Sequence, residues 1–161
     1  MKTYIGTKVV KATPLNRQDY NDTRNWILPD DENGEDEGYL VEYQDGGAPN
    51  HEGYKGYISW SPKAQFDAAY RETSGLTFGL AVEALKKGAK VARAGWNGKG
   101  MFVYLVPAAS YPAQTGVAKA HFGDSAMVPY QAYMAIKNVD NTISTWVPSV
   151  NDCLANDWSS V

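Results

Sequence analysis

This 161-residue chain has one cysteine and two histidines, so several kinds of site are difficult to build within it. Cys153 has no second cysteine for an intrachain disulfide, and its neighbours Leu154 and Ala155 predict a buried, inert thiol. His51 and His121 have no second histidine or cysteine at the spacing of zinc ligands. The composition therefore predicts a reducing compartment and no metal site.

The chain also lacks long apolar runs and an excess of positive charge. It has no run of about 18 apolar residues, and residues 1–6 contain no apolar core of a signal peptide. Its formal net charge is −3, whereas proteins that bind DNA or RNA along the phosphate backbone are usually basic. We therefore expect a cytosolic protein whose partners include neither a membrane nor a nucleic-acid polymer.

The charges that are present divide the chain into two parts. Residues 1–75 carry eight Lys and Arg against thirteen Asp and Glu, whereas residues 76–161 carry seven against five. A break in composition falls at Glu72–Gly75, between two helix-like stretches. We predict two domains, 1–75 and 76–161, and the second has the charge to hold a small anion.

The pattern of the first domain predicts three strands and one helix. The strands are expected at Tyr4–Ala12, Gly38–Gln44 and Tyr54–Ser59. Ser61–Pro62 is expected to start a helix with Phe66 and Tyr70 on one face. Residues 30–37 carry six acidic side chains. They predict a solvated loop, because their spacing lacks the alternating ligands of a calcium site.

Local signals are stronger in the second domain. Thr77 is a suitable N-cap for a helix with Phe78, Val82 and Leu85 on one face, and Lys86–Gly88 supplies a cationic last turn and a stop. Two hairpins are expected on either side of an irregular excursion from Tyr111, at Lys90–Ala94 with Met101–Val106 and at Ala132–Asn138 with Thr142–Val147. The chain is therefore predicted to be α+β, with small, mainly antiparallel sheets.

The segment Val91–Met101 combines a large aromatic ring with glycines and two cations. Trp96 offers a flat face, and Arg93 and Lys99 lie within seven positions of each other. The glycines are Gly95, Gly98 and Gly100. We expect them to allow positive φ and a close approach of the backbone to a partner. These residues are equally compatible with a tightly packed strand connection and with a ligand clamp.

Two other tryptophans of the second domain also need a place in the fold. Trp158 is expected to close the core. Trp146 is the better second platform, beside Trp96, for a purine-containing ligand. On the scale for bases in single-stranded nucleic acids, each stacked base would contribute about 1–3 kcal/mol.

Patterns of catalytic residues are sparse. The chain has no Gly-x-Ser-x-Gly elbow and no complete phosphate loop. His121 and Asp124 have the residue types of a general base and an orienting carboxylate, but a histidine at a helix end is the simpler interpretation.

Ordered blocks of the second domain carry a more specific signal than any single motif. They are Phe78–Gly88, Val91–Met101, Trp146–Ser149, Asp152 and Asn156–Trp158. Together they resemble the phage Thoeris anti-defence family of the second type, over residues 76–161. The resemblance implies a non-enzymatic sponge that needs no cofactor and assembles as a tetramer in the host cytoplasm. It also implies ligands of the cyclic nucleotide class made by bacterial immune enzymes, chiefly glycocyclic ADP-ribose isomers, with cyclic dinucleotides of CBASS-type signalling in a separate pocket of some members.

The resemblance also implies which residues bind the ligand. The predicted set is Arg93, Trp96, Asn97, Gly98, Lys99, Trp146 and Asp152. The two tryptophans match base-stacking positions, and we infer that Arg93, Asn97 and Lys99 meet the pyrophosphate or the ribose hydroxyls. Where the family commonly has a Ser-Gln-Thr-Asp run, this chain has Ser149–Asp152 with an apolar Val150, so a polar ligand contact from that position is lost.

Two other functions are compatible with the sequence. A hydrolase of the same messengers would take its acid or base from His121, Asp124, Asp152 or Asp157. A phage structural or interaction protein would account for the first domain, which resembles segments of other phage proteins without a settled activity.

Overall fold

The computed structural model describes residues 1–161, which form two compact units, Met1–Arg71 and Glu72–Val161. Each unit has its own antiparallel sheet and its own buried apolar cluster. Five helices and three small antiparallel sheets agree with the predicted α+β class. None of the helices has the length and apolar character that a membrane span requires.

The first unit is a three-stranded sheet with a helix on each face. Its elements are β1 (Val10–Pro14), α1 (Arg17–Thr23), β2 (Gly38–Tyr43), β3 (Ile58–Pro62) and α2 (Lys63–Ala69). The central strand β2 pairs antiparallel with β1 and β3. Because side chains alternate along β2, Leu40 packs with Tyr20 of α1, whereas Tyr39 stacks on Phe66 of α2 with ring centroids 4.2 Å apart.

Two strands of the first unit begin later in the chain than predicted. β1 begins at Val10, whereas residues 1–9 have no regular secondary structure. β3 begins at Ile58, four residues after the predicted start, and Ile58 is fully buried. The pattern before Val10 therefore marks exposed chain, whereas Tyr54 before β3 packs against the buried cluster of this unit without being part of a strand.

The helices of the first unit also differ from the prediction. α1 has no predicted counterpart, because Tyr20 and Asn21 are its only buried residues and leave no apolar periodicity. The Asn16 side chain caps it by accepting from the Asp19 amide at 2.7 Å. α2 begins at Lys63 with Pro62 in the N-cap position, one residue later than expected.

The second unit contains three helices and seven strands. In chain order they are α3 (Phe78–Lys86), β4 (Val91–Arg93), β5 (Phe102–Val106), β6 (Ala109–Pro112), α4 (Gly116–Phe122), β7 (Met127–Tyr130), β8 (Tyr133–Lys137), β9 (Ile143–Thr145), α5 (Val150–Cys153) and β10 (Trp158–Ser160). Five strands form one antiparallel sheet in the order β10-β4-β5-β8-β9. The pairing of β10 with β4 places Trp158 opposite Arg93, so the segment after α5 lies beside the end of β4.

Helix α3 and both predicted hairpins are present. The Thr77 hydroxyl accepts from the Leu80 amide, and Gly88 ends the helix region with a φ of 87°. Ala81 and Leu85 are the buried residues of α3. β4 pairs with β5 and β8 pairs with β9, as the sequence pattern predicts.

The excursion after β5 contains more structure than predicted. β6 and β7 form a separate two-stranded sheet, with α4 between them. Tyr111 lies opposite Val128 in this sheet, and its ring contacts that of Tyr130. The prediction of irregular chain from Tyr111 is therefore wrong, because cross-strand contacts order it.

Trp158 closes the core of the second unit, as predicted. Its side chain is fully buried in a cluster formed with Leu76, Ala81, Leu85, Val91, Val103 and Ile136. Its indole N–H donates to the carbonyl of Asp152 at 3.0 Å, so its one polar atom is satisfied. Cys153, in contrast, is exposed and not buried as expected, because the residue that α5 buries is Asp152.

Candidate ligand-binding site at Trp96

The connection between β4 and β5, residues 94–101, is called the Trp96 loop. Asp157 holds its start: its carboxylate accepts from the Gly95 amide at 2.7 Å and its carbonyl accepts from the Ala94 amide at 3.1 Å. A Cβ at Gly95 would lie 2.8 Å from the same carboxylate, so this glycine is needed for space. Of the three loop glycines only Gly100 has positive φ, 76°, which corrects the prediction for Gly95 and Gly98.

Arg93, the last residue of β4, connects two carboxylates. Its Nε and Nη2 approach both oxygens of Asp157, at 2.8 and 3.4 Å, and its Nη1 donates to Asp152 at 2.9 Å. These hydrogen bonds raise the pKa of Arg93, the one with Asp157 most. They also lower the pKa of Asp157, again chiefly through Arg93. The three side chains together carry one net negative charge.

The Asp152 carboxylate accepts hydrogen bonds from four donors. Besides Arg93 they are the amide and hydroxyl of Ser149, at 2.9 and 2.7 Å, and the indole N–H of Trp96, at 3.2 Å. Ser149 and Asp152 form a capping box at the start of α5. Burial alone would raise the pKa of Asp152, but hydrogen bonds from Ser149, Arg93 and Trp96 outweigh it and lower the pKa to about 2.

Three tryptophans meet at this site, and their rings contact one another edge to face. The centroids of Trp96 and Trp146 are 6.1 Å apart with their planes at 68°, and both rings also contact the buried Trp158. Parallel rings with a gap between them would be needed to enclose a flat base. Within one protomer, Trp96 and Trp146 therefore cannot clamp a base between them, and each can stack only through an outer face.

Asn97 and Lys99 lie on the exposed side of the Trp96 loop. Neither side chain makes a hydrogen bond or an ion pair within the protein, so both are available to a ligand. Gly98 between them is half-buried, and a Cβ there would collide with Met101 and Val139. The predicted binding residues thus divide into exposed polar groups and groups already engaged inside the protein, Arg93 and Asp152.

Two residues that hold the site, Ser149 and Asp157, are absent from the predicted binding set. Ser149 could be found from its capping spacing to Asp152. Asp157 could not, because it reaches Gly95 across 62 positions and no local pattern marks such a contact.

The residues considered for acid–base chemistry do not form a pair. His121 lies exposed in the last turn of α4, as the helix-end interpretation predicted, and makes no hydrogen bond to Asp124. The lowered pKa values of Asp152 and Asp157 make both carboxylates weak bases near neutral pH.

Comparison with known proteins covers the second unit. The family model of the Thoeris anti-defense 2-like domain matches residues 76–161. Thoeris anti-defense 2 of Bacillus phage SP01 is 41% identical over 87 residues, which are 53% of this chain and 94% of the relative. Through residues 76–161, the chain belongs to the Thoeris anti-defense 2-like family.

Proposed function

We propose that the second unit acts against bacterial immunity by binding a cyclic nucleotide messenger and holding it intact, in the cytoplasm of the infected host. Membership of an anti-defence family supports the role. The structural observation that carries the binding proposal is the Trp96 loop, whose aromatic ring is half-exposed and whose backbone is fixed before any ligand arrives. Preorganisation of this kind lowers the entropy cost of binding.

Trp96 is the first contact for a base in this proposal. Its N–H is held by Asp152 and its edge contacts Trp158, so the ring has a defined orientation. Trp146 supplies a second stacking surface at a steep angle to the first. A messenger with two bases or a base and a second ring could use the two surfaces separately.

The charges assign different roles to the two nearby cations. Arg93 forms ion pairs with two carboxylates. Because these partners already neutralise its charge, we do not assign it a phosphate contact. Lys99 is exposed and has no partner, so we assign it the contact with phosphate and assign Asn97 a contact with a ribose hydroxyl. Arg93 and Asp152 then act as positioning residues for the loop, and Gly98 keeps its backbone close to the sheet.

A second copy of the chain completes the site in this proposal. The Trp96 loop is open on its outer side, whereas tight ligand sites enclose most of a ligand's surface. Beside this loop's anchor, Val147, Val150 and Leu154 are 73–80% exposed, and exposed apolar groups of this kind favour association. We propose a homo-oligomer, a tetramer as in the family, with glycocyclic ADP-ribose isomers as ligands and cyclic dinucleotides in a separate pocket.

Calorimetric titration with glycocyclic ADP-ribose and a panel of cyclic dinucleotides tests the proposal. We expect tight binding that Trp96→Ala and Trp146→Ala weaken and that Phe122→Ala, at an exposed aromatic residue of α4, leaves unchanged. Ligand recovered from the heated complex should be chemically intact, and sedimentation should give the subunit count.

Each proposed property can fail separately. Cleaved ligand in the heated sample would indicate a hydrolase. Absence of heat with every messenger would contradict nucleotide binding and favour an interaction protein. Binding by a monomer would contradict the proposed oligomeric site.

A further inference from the structure

The first unit contains a cavity of about 370 Å³, outside the residues that the family match covers. Ligand pockets commonly measure about 300–1,000 Å³. Its walls come from α1, β3 and the chain after α1, and include Arg17, Tyr20, Asn21, Trp26, Ile27 and Trp60. Nothing in the function proposed for the second unit uses this cavity.

Two exposed apolar side chains form one side of the cavity. Trp26 is 52% exposed and Ile27 is 95% exposed. The guanidinium of Arg24 lies 4.2 Å from the centroid of the Trp26 ring and the Tyr20 ring meets it edge-on, so the Trp26 ring is held in place. An ordered, exposed tryptophan beside a cavity is typical of a protein contact that carries much of the binding energy.

The charges around the cavity favour a partner that carries positive charge. Residues 16–37 contain eight acidic side chains against Arg17 and Arg24. Arg17 is paired with Glu32, and Arg24 lies against Trp26. Asp30 and Asp31 are exposed and stand between Pro29 and Glu32, which both line the cavity. These carboxylates oppose an anionic ligand and favour an apolar group flanked by cations.

Residues 1–9 of this chain have the complementary composition. They include Lys2 and Lys8 and no acidic residue. Tyr4 and Ile5 are 84% and 100% exposed, and the segment has no regular secondary structure. An extended segment with two adjacent apolar anchors suits a cavity with an aromatic wall.

Tyr4 and Ile5 lie outside the cavity of their own chain, because both side chains are almost fully exposed. They precede the start of β1, where Lys8 is bonded to Asp45 at 3.3 Å. The cavity wall at Arg17 follows the end of this strand. These two apolar side chains are therefore free to enter the cavity of a second copy.

We propose that residues 1–9 of one copy dock on a second copy, with Tyr4 and Ile5 entering the cavity beside Trp26. In this arrangement Lys2 of the first copy lies near Asp30 and Asp31 of the second. The first unit in this way joins two chains through a contact that is independent of the Trp96 loop.

A synthetic peptide of residues 1–9, labelled with a fluorophore at its last residue, tests the proposal by anisotropy on the full chain. Saturable binding is expected, with at least tenfold lower affinity for Trp26→Ala and for a peptide carrying Tyr4→Ser and Ile5→Ser. Asp30→Asn with Asp31→Asn should weaken binding several-fold and reduce its salt dependence. Val117→Ser, an exposed apolar residue of α4, is the matched control and should change nothing.

Two results would overturn the proposal. One is the absence of saturation at about 1 mM peptide. The other is binding that the Trp26 variant leaves unchanged. Circular dichroism shows whether Trp26→Ala is folded, and Ile27→Ser serves as a second variant because its side chain is almost fully exposed and contributes little to the core.

Discussion

The indole N–H of Trp96 donates to the Asp152 carboxylate, 3.2 Å away in space and 56 positions away in the chain. The same carboxylate accepts from Arg93 and from Ser149. A ring that faces solvent is thus oriented by a buried, fully hydrogen-bonded charge. Support of this kind keeps a binding residue in its productive geometry.

Two replacements of Trp96 should weaken messenger binding to different extents. Trp96→Ala removes the stacking surface, worth about 1–3 kcal/mol, and should lower affinity about five- to 150-fold. Trp96→Phe keeps a ring but loses the N–H to Asp152, so an intermediate loss is expected. Calorimetry measures both, with Phe122→Ala in α4 as the control. Equal affinity of the alanine variant and the parent would exclude Trp96 as the stacking residue.

Asp152 should make stability depend on pH in the acid range. Because folding lowers its pKa from 3.8 to about 2, its contribution is complete above pH 4 and is lost as the pH falls from about 4 to 2. The shift corresponds to about 2 kcal/mol. Urea titrations followed by tryptophan fluorescence measure the loss, to which Asp157 adds in the same direction.

The variant Asp152→Asn tests this role, and Asp124→Asn is its control. The first should be destabilised at pH 7 by about 2 kcal/mol, because a neutral amide loses the charge-assisted hydrogen bonds from Ser149, Arg93 and Trp96, and should lose stability less steeply below pH 4. The exposed Asp124 should behave as the parent. A parent curve that is flat between pH 4 and 2 would contradict the role assigned to Asp152.

Gly95→Ala should disturb the Trp96 loop. The new Cβ would lie 2.8 Å from the Asp157 carboxylate and 3.3 Å from Arg93, so the hydrogen bond from the Gly95 amide must break or shift. We expect a loss of about 1–3 kcal/mol in stability and weaker messenger binding. Gly79→Ala in α3 is the control: a Cβ there meets only Thr77, at 4.0 Å, and alanine favours the helix. If both variants are equally stable, the close approach at Gly95 is without consequence.

Lys99→Gln should reduce messenger affinity without changing stability. The side chain is exposed and has no partner in the protein, so nothing in the fold depends on its charge. Calorimetry at two salt concentrations should show a smaller salt dependence for the variant, since one cation no longer faces the phosphates. Lys119→Gln, on the exposed helix α4, is the control. If the variant binds with the parent's affinity at low salt, Lys99 is not the phosphate contact.

Local sequence patterns predicted the elements that are stabilised locally. Thr77 and Gly88 mark both ends of α3, and short runs rich in apolar and aromatic residues mark β2, β5 and β8. They did not predict α1, whose burial rests on Tyr20 packing against Leu40 and Ile58 of the sheet. They also missed the β6–β7 sheet, because its order comes from pairing across the α4 excursion.

The sequence by itself determined the family, the α+β class and the aromatic and charged residues of the Trp96 loop, because these depend on residue types and short spacings. Only the tertiary structure decided what those residues do. It pairs Arg93 with Asp152 and Asp157, leaves Lys99 exposed, and sets Trp96 edge-on to Trp146. The physical reason is distance along the chain: β10 pairs with β4 and brings residues 149–158 against the loop, a long-range contact that no local pattern encodes.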